Sequence, residues 1–163
     1  MKNIFIDHHV DLFYFATSGG ASEANTLELA KNYGVLIRSA YKKSSGEKYD
    51  ASTGARQIEY GKKIILCYGG GQGGFYQPIA ILTVAKQDTL DPISNMPGFG
   101  VINDENLSKL CLNYGYEPDP FLNQITAIGV KFERILTGYS PIKRPNQNAI
   151  CSFADIRKFN QMK

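Results

Sequence analysis

The sequence has 163 residues with only two histidines, three cysteines and no tryptophan. His8 and His9 are adjacent, so neither a metal centre nor a histidine-dependent catalytic triad built from separate elements is expected. Cys67, Cys111 and Cys151 lie far apart in apolar surroundings without a C-x-x-C spacing, which predicts buried thiols. No apolar run approaches the roughly 20 residues that a membrane span needs. We therefore expect a cytoplasmic protein with no metal, no cofactor and no membrane contact.

The composition predicts a single globular domain over residues 1–163. The chain is 43% hydrophobic and 20% charged, which is enough to build one core at this length but too little for two comfortable domains. The formal net charge is +3. A bias of this size permits a phosphate-bearing partner without requiring one.

A glycine-rich loop at the centre of the chain separates two β-rich runs. Gly69, Gly71 and Gly74 satisfy the G-x-G-x-x-G spacing of a dinucleotide loop, which must be followed by a helix N-terminus. The run that follows, residues 75–84, is instead β-branched and aromatic. The pattern therefore predicts a hairpin in which this strand pairs with residues 64–68, and not a phosphate loop.

Hydrophobic periodicity and turn residues predict the other elements. Residues 88–101 contain Pro92 and Pro97 and are expected to be irregular. The last predicted strand is expected to present four alternating residues on one face, namely Ile128, Val130, Phe132 and Arg134. Strands are predicted at residues 12–17, 35–40 and 125–136, and helices at 24–33, 104–114 and 152–159.

Together these elements indicate an α+β fold. About five or six strands would form a curved or barrel-like sheet, with two or three helices packed against it.

Several aromatic residues fall at predicted strand ends or in loops. There they could stack on a flat base while nearby lysines meet phosphates. The alternative is that they fill the core, because a chain without tryptophan builds its core from Phe and Tyr. The residues concerned are Tyr14, Tyr41, Tyr68, Phe75, Tyr76 and Phe99.

Several stretches of the sequence resemble a YTH domain. In that family a strand ending in Ser leads to an Asn at the start of a helix, and a Gly follows the helix before the next strand. The central hairpin and the closing strand are also similar, and residues 61–68 are equally similar to the corresponding strand of the related EVE domains. The matching pieces are residues 15–18, 22–36, 64–68, 75–82, 128–135 and 145–150, so the resemblance covers most of residues 12–160.

The resemblance implies a PUA-like β-barrel that reads a modified or flipped base in single-stranded RNA or DNA. It implies that Asn25 contacts the base edge, and that Ser18 and the backbone of Arg38 and Ser39 line the pocket. YTH readers surround a methylated amine, as in methyladenine, with tryptophans. This chain has none, and the expected replacements for these walls are Leu36, Met96 and Phe99, with Tyr68 and Tyr14 as others.

The leading hypothesis is thus a non-catalytic reader that supplies target recognition to a partner protein in a defence or RNA-processing system. Six basic residues are its candidates for phosphate contact, and each can also be read as an ordinary surface charge. They are Lys42, Lys43, Lys48, Arg56, Lys143 and Arg144.

Two alternatives belong to other functional classes. An ASCH-type enzyme acting on modified nucleosides or RNA would need a Lys, a Glu and a Thr that converge in the pocket, but no compact Gly-x-Lys-x-x-Glu-x-Arg signature supplies them. A protein-interaction module, such as a phage or plasmid inhibitor of a host protein, would use the aromatic loops to dock on its target.

Overall fold

The computed structural model describes residues 2–16, 22–38, 58–69, 74–93, 96–119, 122–144, 150–152 and 156–157, with the backbone alone for 96–97 and 150–152. The described part is an α+β fold around a strongly curved sheet. Six of its strands have four or more residues and three are shorter. The strands are β1 (Leu12–Ala16), β2 (Val35–Ile37), β3 (Lys63–Gly69), β4 (Phe75–Val84), β5 (Leu90–Ile93), β6 (Met96–Ile102), β7 (Thr126–Ile135), β8 (Ile142–Lys143) and β9 (Ile150–Ser152).

Three helices flank the sheet: α1 (Ile4–Asp7), α2 (Glu23–Glu28), which continues as a π-helical turn at Leu29–Tyr33, and α3 (Glu105–Asn113). Side chains cap all three, and the Ser22 hydroxyl accepts from the Asn25 amide at the start of α2. Gly34 ends the turn at a φ of 68°, a conformation that glycine adopts without strain. No helix in these ranges has the length and hydropathy of a membrane-spanning helix.

The sheet follows the order β5-β6-β7-β4-β3-β1-β9. The predicted hairpin is confirmed, because β3 and β4 pair antiparallel on either side of the glycine loop. β1 pairs parallel with β3 and antiparallel with β9. Ile128 in the first half of β7 pairs with both Leu36 of β2 and Phe99 of β6, while the second half of β7 pairs with β4.

Alternate residues of each strand point to opposite faces of the sheet, and each face has its own apolar core. In β1, Leu12, Tyr14 and Ala16 belong to the inner cluster, which receives side chains from all of β1 to β7. Phe13 and Phe15 belong to the outer cluster, which α1 covers. The predicted burial of Cys67 and Cys111 is confirmed, and burial raises the pKa of the Cys111 thiol to about 11.

The prediction that residues 88–101 are irregular is wrong, because they form β5 and most of β6. Pro92 is tolerated since β5 lies at the end of the strand order, where a missing N–H need not break a ladder. Gly100 is required by a close approach, because a Cβ there would lie 2.7 Å from the Cβ of Leu90.

The strict alternation expected in β7 is also wrong. The pairing register with β4 shifts, so that Leu82 faces Phe132 but Ile81 faces Arg134, which leaves Glu133 as an extra residue. Phe132 packs against the inner cluster, whereas Arg134 contacts His8 beside the outer cluster. This β-bulge therefore turns Arg134 to the outer face.

Candidate functional site

Tyr14, one of the predicted pocket walls, is 6% exposed. Its hydroxyl donates to the backbone carbonyl of Ile37 at 2.5 Å, which ties β1 to the end of β2. Burial raises the pKa of Tyr14 well above its usual range, and nearby Tyr116 acts in the same direction while Arg38 opposes both. The phenol is therefore a neutral donor in a largely water-excluded site.

Tyr116, which follows α3, approaches the same site from another direction. Its hydroxyl lies 3.5 Å from the hydroxyl of the buried Thr26. Burial raises the pKa of Tyr116, the hydrogen bond from Thr26 lowers it, and Tyr68 adds a smaller upward effect. Tyr14 and Tyr68 thus both lie near Tyr116, and we call the three residues the tyrosine cluster.

The tyrosine cluster lies at the end of the sheet where β1 and β3 end. Ala16 pairs with Tyr68 near the ends of these two parallel strands. Tyr68 and Tyr116 are half-buried and pack against the inner cluster. Aromatic surface therefore borders the inner core at this end.

Helix α2 places polar side chains beside the tyrosine cluster. The Ser22 cap starts the helix, so that Thr26 falls on the buried side with Leu29 and Ala30. Asn25, the predicted base contact, is half-buried and directly precedes Thr26. A hydroxyl and an amide thus lie at the helix start.

The backbone of Arg38 makes two hydrogen bonds with Thr126. Its N–H donates to the Thr126 carbonyl at 3.0 Å, and its own carbonyl accepts a hydrogen bond from the Thr126 hydroxyl. The backbone N–H predicted to line the pocket is thus used to hold β2 on β7. The side chain remains near the cluster, as its effect on the pKa of Tyr14 shows.

Two of the predicted pocket walls belong to the core. Leu36 is 1% exposed and Phe99 is 2% exposed, and both pair across β7 with Ile128. Neighbouring core residues cover both side chains, so neither can stack on a base in this conformation. Met96 lies at the start of β6, where the backbone alone is described.

Two of the predicted phosphate contacts lie at the same end of the sheet as the tyrosine cluster, and one of them, Arg144, lies on the outer face. Lys143 pairs with Phe75 at the start of β4, and its Nζ is 6.0 Å from the centre of that ring. The guanidinium of Arg144 is 5.3 Å from the ring of Tyr76, an outer-cluster residue. The other predicted site residues lie outside the described ranges, namely Ser18, Ser39, Lys42, Lys43, Lys48 and Arg56.

A second polar cluster lies on the outer face at the other end of β3. Lys63 Nζ donates to the Thr83 hydroxyl at 2.7 Å, and this hydroxyl donates to Glu133 Oε1 at 2.9 Å. The hydrogen bond from Thr83, followed by the charge of Lys63, lowers the pKa of Glu133. The sequence analysis found no compact signature for such a Lys-Thr-Glu group because its members come from three strands.

Two surface clefts of the described ranges contain none of the predicted site residues. A cleft of about 450 Å³ lies beside α1, between Ile4 and Ile142, and one of about 430 Å³ lies beside α3. Within the same ranges no three His, Cys, Asp or Glu side chains are grouped as a metal site would need. The segments that follow the ends of β1, β2 and β3, residues 17–21, 39–57 and 70–73, lie outside the described part.

In comparisons with known proteins, no family model matches this chain, and no curated protein or solved structure matches it either.

Sequence reasoning missed Tyr116 and Thr26. A signal for Thr26 was available, because it precedes Leu29 and Ala30 by three and four residues and so shares their buried helix face. No such signal existed for Tyr116, which follows the end of α3 and reaches Thr26 only through the tertiary fold.

Proposed function

We propose that this chain is a non-catalytic nucleic-acid-binding domain that accepts a modified or flipped nucleobase at the tyrosine cluster. The observation that carries the proposal is the convergence of Tyr14, Tyr68 and Tyr116 with Thr26 and Arg38 at one end of the curved sheet. Phenol rings provide stacking surface for a base, and hydroxyl groups can read its edge. A base reaches such a pocket only when it is unstacked from its strand.

The order of elements supports the same proposal. A first strand, a helix capped by Ser22, a short second strand and a central hairpin follow one another as the resemblance to YTH and EVE domains implies. The burial of Leu36 and Phe99 changes the assignment of the stacking surfaces. We assign these to the half-buried Tyr68 and Tyr116 instead.

The test is fluorescence anisotropy with matched single-stranded RNA and DNA oligonucleotides, unmodified or carrying one methylated adenine or cytosine. We expect one modified oligonucleotide to bind at least about tenfold more tightly, equivalent to about 1.4 kcal/mol. Tyr116→Ala should remove about 1 to 3 kcal/mol of binding through lost stacking. Tyr116→Phe keeps the ring and tests the hydroxyl alone.

Tyr60→Ala is the matched control, because Tyr60 is 51% exposed in a turn and should leave binding unchanged. Asn25→Ala should reduce the preference for the modified base while sparing nonspecific binding. Weak binding that ignores modification and disappears with salt would overturn the proposal and favour the protein-interaction module.

The Lys63, Thr83 and Glu133 group favours a second candidate, the ASCH-type enzyme. A threonine hydroxyl between an amine and a carboxylate is the arrangement that this alternative requires. The group lies on the outer face, however, and outside the three best-defined clefts of the described ranges. We therefore place it second. Turnover of modified nucleosides that Thr83→Val abolishes and Tyr116→Ala spares would reverse this order.

A further inference from the structure

A third polar cluster surrounds His8 on the outer face of the sheet. His8 Nε2 lies 2.8 Å from the Tyr139 hydroxyl, which in turn donates to Asp7 Oδ2 at 3.2 Å. A phenol has only one proton to donate, so its oxygen must accept from Nε2–H. This fixes the neutral tautomer of His8 and leaves a lone pair on Nδ1.

Arg134 lies over the ring of His8. One terminal nitrogen of its guanidinium is 3.2 Å from Nδ1 and 3.1 Å from Nε2. An atom nearly equidistant from both ring nitrogens must sit above the ring, because Cε1 and its hydrogen occupy the in-plane position. The guanidinium has five N–H donors, more than this one contact can use, and such donors suit an oxyanion.

Lys2 adds a second cation at a fixed position. Its Nζ is 4.5 Å from the centre of the Tyr139 ring. Its backbone is held on both sides, since Lys2 N–H donates to the Gly138 carbonyl and the Lys2 carbonyl accepts from Ser140. The cation therefore extends from an anchored backbone.

Within the described part of the chain, these two cations have no acidic partner. Among the described residues, no carboxylate lies within 4.0 Å of the charged nitrogens of Lys2 or Arg134. The nearby carboxylate of Asp7 accepts its hydrogen bond from Tyr139. Burial and Arg134 lower the pKa of His8, Asp7 partly offsets them, and Lys2 lowers it further. The net field at the imidazole thus favours an added negative charge.

We infer that Lys2, His8 and Arg134 form an oxyanion-binding site whose ligand class is phosphate, as a monoester or a diester. The bound anion neutralises the two cations, and a protonated His8 adds an Nδ1–H donor to the same oxygen atoms. Phosphate binding therefore favours protonation of His8, and protonation of His8 strengthens phosphate binding. The inference does not depend on base recognition at the tyrosine cluster.

The test is a pH titration of the two histidine rings by NMR, with and without inorganic phosphate at constant ionic strength. We expect phosphate to raise the pKa of His8 and to leave the resonances of His9 almost unchanged. His9 is an internal reference because its side chain is 82% exposed and contacts Asp11 instead. Equal movement of both histidines, or of neither, would overturn the inference.

Variants sharpen this test. Arg134→Gln should raise the pKa of His8 in the absence of phosphate, because it removes a cation, and should weaken phosphate binding about tenfold. Lys131→Gln, an exposed change on the same strand, is the control and should have little effect on either quantity. If Arg134→Gln does not fold, Lys2→Gln serves instead, because Lys2 is exposed.

A second titration, with an unmodified oligouridylate, distinguishes the source of the phosphate. If the nucleic-acid backbone is the ligand, the oligonucleotide raises the pKa of His8, and Arg134→Gln reduces the salt slope by about one. If inorganic phosphate raises the pKa of His8 and the oligonucleotide does not, the ligand of the site is a small phosphorylated molecule. Tyr116→Ala should leave both titrations unchanged. Failure of the base-binding proposal would therefore appear in the anisotropy measurements and not in these titrations.

Discussion

The two faces of the sheet carry opposite chemistry. The inner face holds neutral phenols, Tyr14 and Tyr116, whose pKa values are raised by burial. The outer face holds charged side chains that are linked in small groups around Glu133 and His8. Because alternate residues of one strand supply both faces, a single layer of backbone separates the phenol surface from the charged one. A nucleic-acid ligand would need both surfaces, and in this chain separate sets of side chains form them.

The largest effect should come from the inner core. Leu36→Ala removes a side chain that is 1% exposed and should lower the free energy of unfolding by about 2 to 5 kcal/mol. Ile135→Ala on β7 is the matched control, because Ile135 is 48% exposed and should cost about 1 kcal/mol or less. Urea unfolding of both variants measures the difference. Equal losses would show that the two positions differ less in packing than their burial indicates.

The next effect concerns the buried hydrogen bond of the tyrosine cluster. Tyr14→Phe leaves the Ile37 carbonyl without its phenolic donor and should lower the free energy of unfolding by about 1 to 3 kcal/mol. Tyr60→Phe removes the same atom from an exposed ring and should change it by less than about 0.5 kcal/mol. Urea unfolding measures both. If Tyr14→Phe were as mild as its control, the hydroxyl would not be held as described.

A smaller effect is expected on the outer face. Lys63→Gln removes the charge beside Glu133, and both side chains are about one-third exposed, at 37% and 34%. The free energy of unfolding should fall by about 0.5 kcal/mol, since solvent screens such pairs. High salt should shrink the difference from the original chain, as measured by urea unfolding. A loss comparable to that of Leu36→Ala would contradict the contrast between the faces.

The smallest effect is confined to a pH window. The folded pKa of His8 lies below the ordinary value of 6.5, so the unfolded chain takes up the proton first. The contribution of His8 to the free energy of unfolding should fall as the pH drops below 6.5, and level off below its folded pKa. His8→Gln should remove this part of the pH dependence, and His9→Gln should leave it in place. Urea unfolding at several pH values between 5 and 8 tests both expectations.

The sequence predicted the elements that local chemistry determines. The strand after the glycine loop was recognisable from its β-branched and aromatic residues. The helix predicted at residues 24–33 corresponds to α2 and the turn that continues it. The curved α+β sheet followed from the order of these elements. Pro92 misled the prediction because the cost of a proline depends on whether the strand lies at an edge.

The candidate site was less predictable, because burial and side-chain direction are tertiary properties. Leu36 and Phe99 had the right residue types for pocket walls, but their pairing with the same residue of β7 places them in the core. The bulge at Glu133 turns Arg134 to the opposite face, and a period-two pattern in the sequence contains no sign of it.

The pairing of β1 has a consequence for the growing chain. Leu12 pairs with Ile64 on one side and with Ser152 on the other, so β1 is completed by a strand that is synthesised much later. Contacts between such distant positions slow folding, because long loops must close first. Until β9 has been synthesised, one edge of β1 has unpaired backbone groups that can form hydrogen bonds with another chain. We therefore expect chains truncated before residue 150 to aggregate during expression.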